Sequence, residues 1–443
     1  MPVSAREAAL KALTRYRRAG AYTDAALDAV LLKERPDSRD AALCTRIFYG
    51  VVQNSALIDH YIASFSTVRP SRMEPQVLDI LRLSVYQLVF LSKIPVNAAV
   101  SEGVELVKKH ANPRAAGLVN AVLRKIAQNL EQLPEVTGAD TAEKLALQYS
   151  HPEWLVRAFI DRLGPDGAEA LLKADNSDAG VTALVNTLKA DTESVLGSLR
   201  LNGVEAAAHP WLPNCVVLRN TRNIERLDAF RNGRIYVQDA AAALAVQAAA
   251  PAPGMFVLDG CAAPGGKSFT AAAAMHNSGR ILSCDIHEKK LARVSEGAAR
   301  LGFGIIETRV LDATAPEAAL YDSADVVIAD VPCSGFGVIR KKPEIRYKKE
   351  EDTAGLPELQ RRIADNLSKY VKPGGLLVYS TCTLLRRENE DVAAAFLSDH
   401  DDFYLEPFAL PGPVGDVPSG MTTLWPQETG TDGFFICKLR RRP

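Results

Sequence analysis

Through the first 130 residues apolar side chains recur three and four positions apart, as in Val100, Val104 and Val107 and again in Leu118, Val119, Val122, Leu123 and Ile126. That spacing puts them on one face of a helix and predicts an all-helical domain. The segment 76–91 is apolar on nearly every side, which predicts a central helix buried all round. Residues 131–148 carry Pro, Gly and charge and read as a linker running into a new helix. From His151 the pattern turns mixed, with helices expected near 154–162 and 192–202 and short strands at 181–188 and 215–218. Beyond Gly254 short β-branched runs alternate with helical stretches, the pattern of a parallel sheet covered on both faces. Strands are expected at 256–259, 280–285, 305–311, 325–330 and 375–380, with 402–406 and 433–439 as an antiparallel edge. The predicted fold class is multidomain: an all-α domain over 1–130, a linker over 131–148, a small α+β unit over 149–232 and an α/β Rossmann-like domain over 233–443.

Composition changes this picture little. A chain of 443 residues is long enough for two or three folding units, each with its own core. Hydrophobic residues at 47% and charged residues at 24% are ordinary for globular proteins. The Ala-rich run 240–250 is interrupted by Gln247 and followed by Pro251 and Pro253, so it falls short of a membrane span, and the first ten residues lack a signal-peptide pattern. A cytoplasmic protein with no membrane partner is expected. Seven cysteines stand singly, without a CxxC pair and in odd number, which argues against a disulfide framework and against a metal site. Any cysteine with a special role should be a free thiol.

Charge is unevenly spread. The net charge is -1, yet residues 1–130 hold 18 Lys/Arg against 11 Asp/Glu, an excess of seven. Basic clusters at Arg15, Arg17 and Arg18, at Lys108 and Lys109, at 340–342, at 346–349 and at 440–442 could neutralise phosphates, although solvated helix faces are the commoner explanation of any one cluster.

In open α/β sheets ligands sit beyond the carboxyl ends of the strands. Here the first strand runs into Asp259-Gly-Cys261-Ala262-Ala263-Pro264-Gly265-Gly266-Lys267-Ser, the second ends at Asp285, the third at Asp312 and the fourth at Asp330. A phosphate-binding loop would need Gly where Cys261 stands, and a dinucleotide turn would need GxGxxG spacing. Acidic strand ends around a small turn suit a cationic sulfonium nucleoside better than a polyphosphate. Asp330-Val-Pro-Cys333-Ser-Gly follows the fourth strand and Ser380-Thr-Cys382-Thr the fifth, so two thiols should project at the same edge. A single buried cysteine is usually just a small hydrophobe. Two at adjacent strand ends suggest paired chemistry instead.

These three segments, with Glu388-Asn389 after the second cysteine, resemble the RNA cytosine-5 methyltransferases, and the resemblance to the bacterial small-subunit rRNA branch covers essentially the whole chain. Both cysteine motifs are present, as in the RNA enzymes; the DNA cytosine-5 family relies on the Pro-Cys cysteine alone. The chemistry explains why more than one group is needed. Carbon 5 of cytosine cannot attack a methyl group unaided; a thiolate must add to carbon 6, a group must hold the N3 and amino edge, and a base must take the carbon 5 proton. The target base must also leave its stack. The resemblance implies that Cys382 is the nucleophile, that Cys333 assists release with Asp330 on the base, and that Cys261, Ala262, Ala263, Pro264, Gly265, Gly266, Lys267, Asp285, Asp312 and Asp330 line a site for S-adenosyl-L-methionine. It further implies a NusB-like RNA-binding domain at the N-terminus that includes 117–124, an RNA-binding middle unit, and a monomer acting on a cytosine of 16S rRNA before subunit assembly is complete. Three positions depart from the pattern: Leu184 where relatives carry Arg, Gly260 for an apolar residue, and Ala after Gln238-Asp239 for Ser. A binding protein with a relic catalytic domain has no reason to keep both cysteines and the acidic strand ends. An exocyclic-amine methyltransferase would carry Asp/Asn-Pro-Pro-aromatic after the fourth strand rather than Asp-Val-Pro-Cys.

Overall fold

In the computed structural model, which describes residues 3–19, 22–178, 180–219, 221 and 223–443, the period-3.6 stretch folds as α1 (Ala5–Ala19), α2 (Thr23–Glu34), α3 (Ser38–Gln53), α4 (Ser55–Phe65), α5 (Pro75–Phe90), α6 (Val96–His110) and α7 (Ala116–Gln128). Pro75, whose fixed φ suits a first helical turn, opens α5. Val77, Ile80, Leu81, Leu83, Val85 and Leu88 then bury it at the centre of one apolar cluster with α1, α3, α6 and α7. Asp79, Ser84 and Gln87 are the polar residues buried on that helix, and the Asp79 carboxylate is held by Arg17 at 3.0 Å. α8 (Thr141–Tyr149), capped by Asp140, and α9 (Glu153–Asp175) follow. The expected helix at 154–162 thus extends much further, across a break at Gly164 (φ 70°) from which Pro165 starts a second half.

Compactness divides the chain into Met1–Asn176 with Lys341–Lys348, and Ser177–Arg340 with Lys349–Pro443. The segment Lys341–Lys348 therefore belongs to the helical unit although it stands far downstream. There Arg346 is fully buried and donates to the carbonyls of Gln53 (2.9 Å) and Tyr149 (3.2 Å) and to Asn176 Oδ1 (2.8 Å), while Tyr347 OH donates to Val52 O. Arg346 is thus no phosphate contact: its guanidinium is consumed by main-chain and amide acceptors.

Among the described residues the second unit holds two multi-stranded sheets and a separate two-stranded hairpin. In the smaller, β1 (Val181–Val185), β2 (Glu205–Ala208), β3 (Cys215–Arg219) and β4 (Ile235–Val237) pair antiparallel in the order β2-β3-β1-β4, with α10 (Thr192–Leu201) on one face. β1 ends at Val185, short of the expected residue 188, and the Asn186 side chain that follows donates through Nδ2 to the carbonyls of Gly233 and Leu301. Leu184, Cys215 and Tyr236 lie on the opposite face and join the apolar cluster of the larger sheet, so Leu184 is a packing residue there. The short helix α11 (Asp228–Arg231) precedes β4.

α12 (Ala240–Ala249), capped by Asp239, leads to the larger sheet. Its strands are β5 (Phe256–Asp259), β6 (Arg280–Asp285), β7 (Ile306–Val310), β8 (Ala324–Asp330), β9 (Val371–Thr381), β10 (Phe403–Leu405) and, after the hairpin β11 (Phe408–Leu410) and β12 (Gly415–Val417), β13 (Met421–Leu424) and β14 (Phe434–Arg441). The order is β10-β14-β9-β8-β5-β6-β7, with β13 also on β14. β5 to β9 run parallel and β14 lies antiparallel on β9. Alternation along β8 decides what covers each face. Val326 and Ile328 pack with α12, α13 (Gly266–Ala274) and α14 (Glu288–Leu301), while Val327 and Ala329 pack with α15 (Leu356–Ser368) and α16 (Glu390–Asp399). Gly260 hydrogen-bonds to Ile328 O beside Leu367, and a Cβ there would come within 2.4 Å of the Leu367 side chain. Leu367 therefore fills the volume that an apolar residue at 260 would need. Among the described residues no helix is long and apolar enough to cross a membrane.

Candidate active site

β5 and β8 are neighbours, yet α13 leaves β5 toward β6 while the chain after β8 continues to β9, so the strand order reverses between them and opens a crevice at their carboxyl ends. The turn 261–267 occupies that place. Ala262 N–H bonds to Cys284 O and Gly265 N–H to Ala262 O, after which α13 begins at Gly266. Cys261 is half-buried against the apolar cluster under the sheet, and its thiol is pushed up by burial and then by Asp259. That environment makes it a packing residue, without the thiolate character a nucleophile requires. Ala262 is buried, Ala263 half-buried and Pro264 exposed.

Lys267 is buried in the first turn of α13, and its ammonium meets Asp330 Oδ2 at 2.5 Å and lies 5.0 Å from the Phe434 ring centre. The other oxygen of Asp330 accepts from Ser380 Oγ at 2.9 Å. Asp330 is thus held from two directions. Asp285 is half-buried and accepts through Oδ1 from His287 N–H. Asp312 is exposed, and the Thr314 hydroxyl, then its amide, holds its carboxyl below the usual range.

The two predicted thiols converge. Cys333 Sγ and Cys382 Sγ lie 3.3 Å apart, both half-buried, one after β8 and the other after β9. Gly337 N–H donates to Cys382 O at 2.9 Å, and Gly433 N–H donates to Gly337 O at 2.8 Å, which straps the loop after Cys333 to the strand end carrying Cys382. The strap needs glycine: a Cβ on Gly337 would stand 2.0 Å from Gly433 O. Of the two sulfurs, Cys382 is the one held down, first by its hydrogen bond with Cys333 and then, against burial and Asp330, by the Lys267 charge. Cys333 is held up by the same bond, by burial and by the carboxylates of Glu388 and Asp330.

Several groups at this edge had no role assigned from sequence. Asp259 ends β5 fully buried, accepts from Ser268 Oγ at 2.7 Å, and is pushed up to about 6 by its burial. Ser334 and Thr383, each directly after one of the cysteines, join through their hydroxyls at 2.7 Å. That shared position after Cys was the available signal. Among the described residues there is no cluster of His, Cys, Asp and Glu able to hold a metal ion.

Comparison with known proteins agrees along the chain. Family models match as the NusB family over residues 3–128, as the ferredoxin-like domain of RsmF/B-like methyltransferases over 151–225, and as 16S rRNA methyltransferase RsmB/F over 246–440. The probable ribosomal RNA small subunit methyltransferase B of Bacillus subtilis is 38% identical over 99% of this chain and 99% of its own length. The ribosomal RNA small subunit methyltransferase B of Vibrio cholerae is 33% identical over 99% and 98%. The crystal structure of PH0851 superposes with a TM-score of 0.80 at 29% identity and covers the whole of both chains. A methyltransferase homolog from Pyrococcus horikoshii follows at 0.59 and 27%, covering 69% of this chain and all of its own.

Proposed function

From the premise that the chain belongs to the RsmB/F family of 16S rRNA methyltransferases, we propose that it methylates carbon 5 of one cytosine in 16S rRNA through a covalent bond between Cys382 and carbon 6. It is a methyltransferase of small-subunit rRNA that depends on S-adenosylmethionine, which when bound supplies an electrophilic methyl group. The turn 261–267 lies among the acidic strand ends Asp285, Asp312 and Asp330, a setting that suits that sulfonium nucleoside although Lys267 neutralises Asp330, while Asp285 Oδ2, which nothing bonds among the described residues, suits a ribose hydroxyl. Asp312 keeps Oδ2 for the adenine side.

The observation that carries the reading is the pair of sulfurs 3.3 Å apart in unlike electrostatic surroundings. Cys382, beside the Lys267 charge, loses its proton to solvent and adds as thiolate to carbon 6, whose ring double bond moves its electron pair onto carbon 5 for attack on the methyl group. The Asp330 carboxylate, fixed by Ser380 and Lys267, lies next to this sulfur and holds the amino edge of the base. After methyl transfer carbon 5 bears both the methyl group and a proton. Cys333, which loses its own proton to solvent once Cys382 is bonded and uncharged, accepts the carbon 5 proton as thiolate, the electron pair of the C–H bond re-forms the ring double bond, and Cys382 leaves carbon 6 as thiolate.

Bisulfite sequencing of rRNA from cells lacking the gene tests this. One cytosine should lose its methyl group, restored by the parent gene and not by Cys382→Ala. The Cys333→Ala variant should accumulate a protein–RNA adduct on denaturing gels. Full modification of that cytosine by Cys382→Ala would sink the proposal.

A further inference from the structure

Glu388 lies seven residues past the strand end β9, is fully buried, and has no part in the chemistry above. Its Oε2 accepts from Ser334 N–H at 2.9 Å and from Gln360 Nε2 at 2.9 Å, and the same Gln360 amide donates to Pro332 O at 2.9 Å. The carboxylate thus grips the main chain on either side of Cys333. Its other end is equally fixed: Tyr379 OH donates to Glu388 O at 2.6 Å, and the next residue, Asn389, accepts from Thr381 Oγ1 at 2.6 Å and donates to Thr383 O at 3.0 Å. Thr381 and Thr383 flank Cys382. Glu388 and Asn389 therefore tie the loop of one thiol to the strand end of the other, and the Ser334–Thr383 hydroxyl pair closes the ring.

We propose that Glu388 is the positioning residue of the two-thiol centre, its buried carboxylate seating Cys333 against Cys382 so that the sulfurs stay in hydrogen-bonding distance. Geometry alone could be served by a neutral amide, since glutamine also offers an oxygen to Ser334 N–H. The carboxylate adds a charge. Glu388 Oε1 is buried without a hydrogen-bond partner, so this anion is left incompletely neutralised, a costly state for a residue that only ties a loop. Its field falls on Cys333, where it opposes ionisation. In the assigned reaction that is useful before the base arrives: two thiolates 3.3 Å apart would repel, and a protonated Cys333 can donate to the Cys382 thiolate. Once Cys382 is bonded to carbon 6 its charge is gone, and Cys333 becomes free to ionise and accept the carbon 5 proton.

This rests on the assignment of Cys382 as nucleophile, so the test includes a readout that needs no reaction. Phenylarsine oxide bridges two thiols only where their sulfurs are close, and is titrated against the full-length parent, Glu388→Gln and Glu388→Ala. Glu388→Gln should bind it within about threefold of the parent, and Glu388→Ala at least tenfold more weakly. The pH profile of Cys333 alkylation by iodoacetamide should begin at lower pH in Glu388→Gln than in the parent, a shift that a purely structural tie would not produce. In turnover with rRNA, Glu388→Ala should release product about 10–100-fold more slowly and accumulate adduct as Cys333→Ala does. Unchanged arsenical affinity in Glu388→Ala, or an alkylation profile for Glu388→Gln that overlays the parent, overturns the role of Glu388. If both thiol readouts behave as stated and no variant ever forms an adduct, the nucleophile assignment fails instead.

Discussion

Replacing Asp259 with asparagine removes a buried charge from beneath the cofactor turn while keeping an oxygen for Ser268 Oγ. The parent carboxyl is fully buried and pushed up from 3.8 to about 6, with burial the main cause, against the Ser268 bond and Lys267. A carboxyl whose native pKa is raised binds its proton more tightly folded than unfolded, so its stabilising contribution is complete below the unfolded pKa and is lost as pH rises through the native one. The window runs from 3.8 to about 6. A shift of roughly two units at about 1.4 kcal/mol each is about 3 kcal/mol, of which about 2 kcal/mol falls between about pH 4.5 and pH 7.5. An amide does not titrate, so Asp259→Asn should gain that much relative to the parent over this range. The new amide can impose an offset of about 1 kcal/mol if it finds no acceptor, but an offset has no pH dependence. Urea unfolding followed by tryptophan fluorescence measures it. Of the three tryptophans Trp154 lies in the helical unit, so a Trp154→Phe background leaves Trp211 and Trp425 to report on the unit that holds Asp259. A variant-minus-parent difference that stays constant within about 0.5 kcal/mol, or that falls as pH rises, would refute the reasoning.

Two further substitutions probe the ties described above. Gly337→Ala drives a methyl group to 2.0 Å from Gly433 O, so the strap must open; thermal unfolding should drop by about 2–4 kcal/mol equivalent and phenylarsine oxide should lose its bridged site. Parent-like arsenical affinity would show the strap to be dispensable. Arg346→Met keeps much of the buried stem and strips the guanidinium from Gln53 O, Tyr149 O and Asn176 Oδ1, for an expected cost of about 3–5 kcal/mol to the helical unit, read from the fluorescence of Trp154 in denaturant. A loss below about 1 kcal/mol would mean that water replaces the guanidinium without penalty.

Much of the catalytic sheet was legible because short apolar and β-branched runs alternate with helical stretches: β5 and β6 begin and end at the expected residues, and both cysteine motifs fall at adjacent strand ends. The small sheet was harder. β2 reads Glu-Ala-Ala-Ala, which has no strand propensity of its own and is recruited by pairing with β3. Leu184 stands where relatives carry Arg, yet it belongs to the apolar cluster shared with the larger sheet, a fact of tertiary packing that no local pattern encodes. The basic clusters resolve only residue by residue: Arg346 is buried on main-chain carbonyls, whereas Arg17 pairs with Asp79, Lys109 with Glu7 and Arg440 with Glu406 while staying partly exposed. The chemistry-bearing residues were visible by type and spacing, whereas Glu388 acquires its meaning only through partners 28 and 54 positions away.

The placement of Lys341–Lys348 bears on how this protein can be dissected. A fragment cut directly after Asn176 would carry every helix of the first unit but omit the octapeptide, leaving a vacant socket lined by the carbonyls of Gln53, Tyr149 and Ser150. Such a fragment should be sticky and poorly soluble when expressed alone, and a synthetic peptide spanning 341–348 supplied in trans should rescue it. The helical module is thus assembled from distant stretches of one polypeptide, and it can be completed only after the ribosome has translated most of the catalytic module as well.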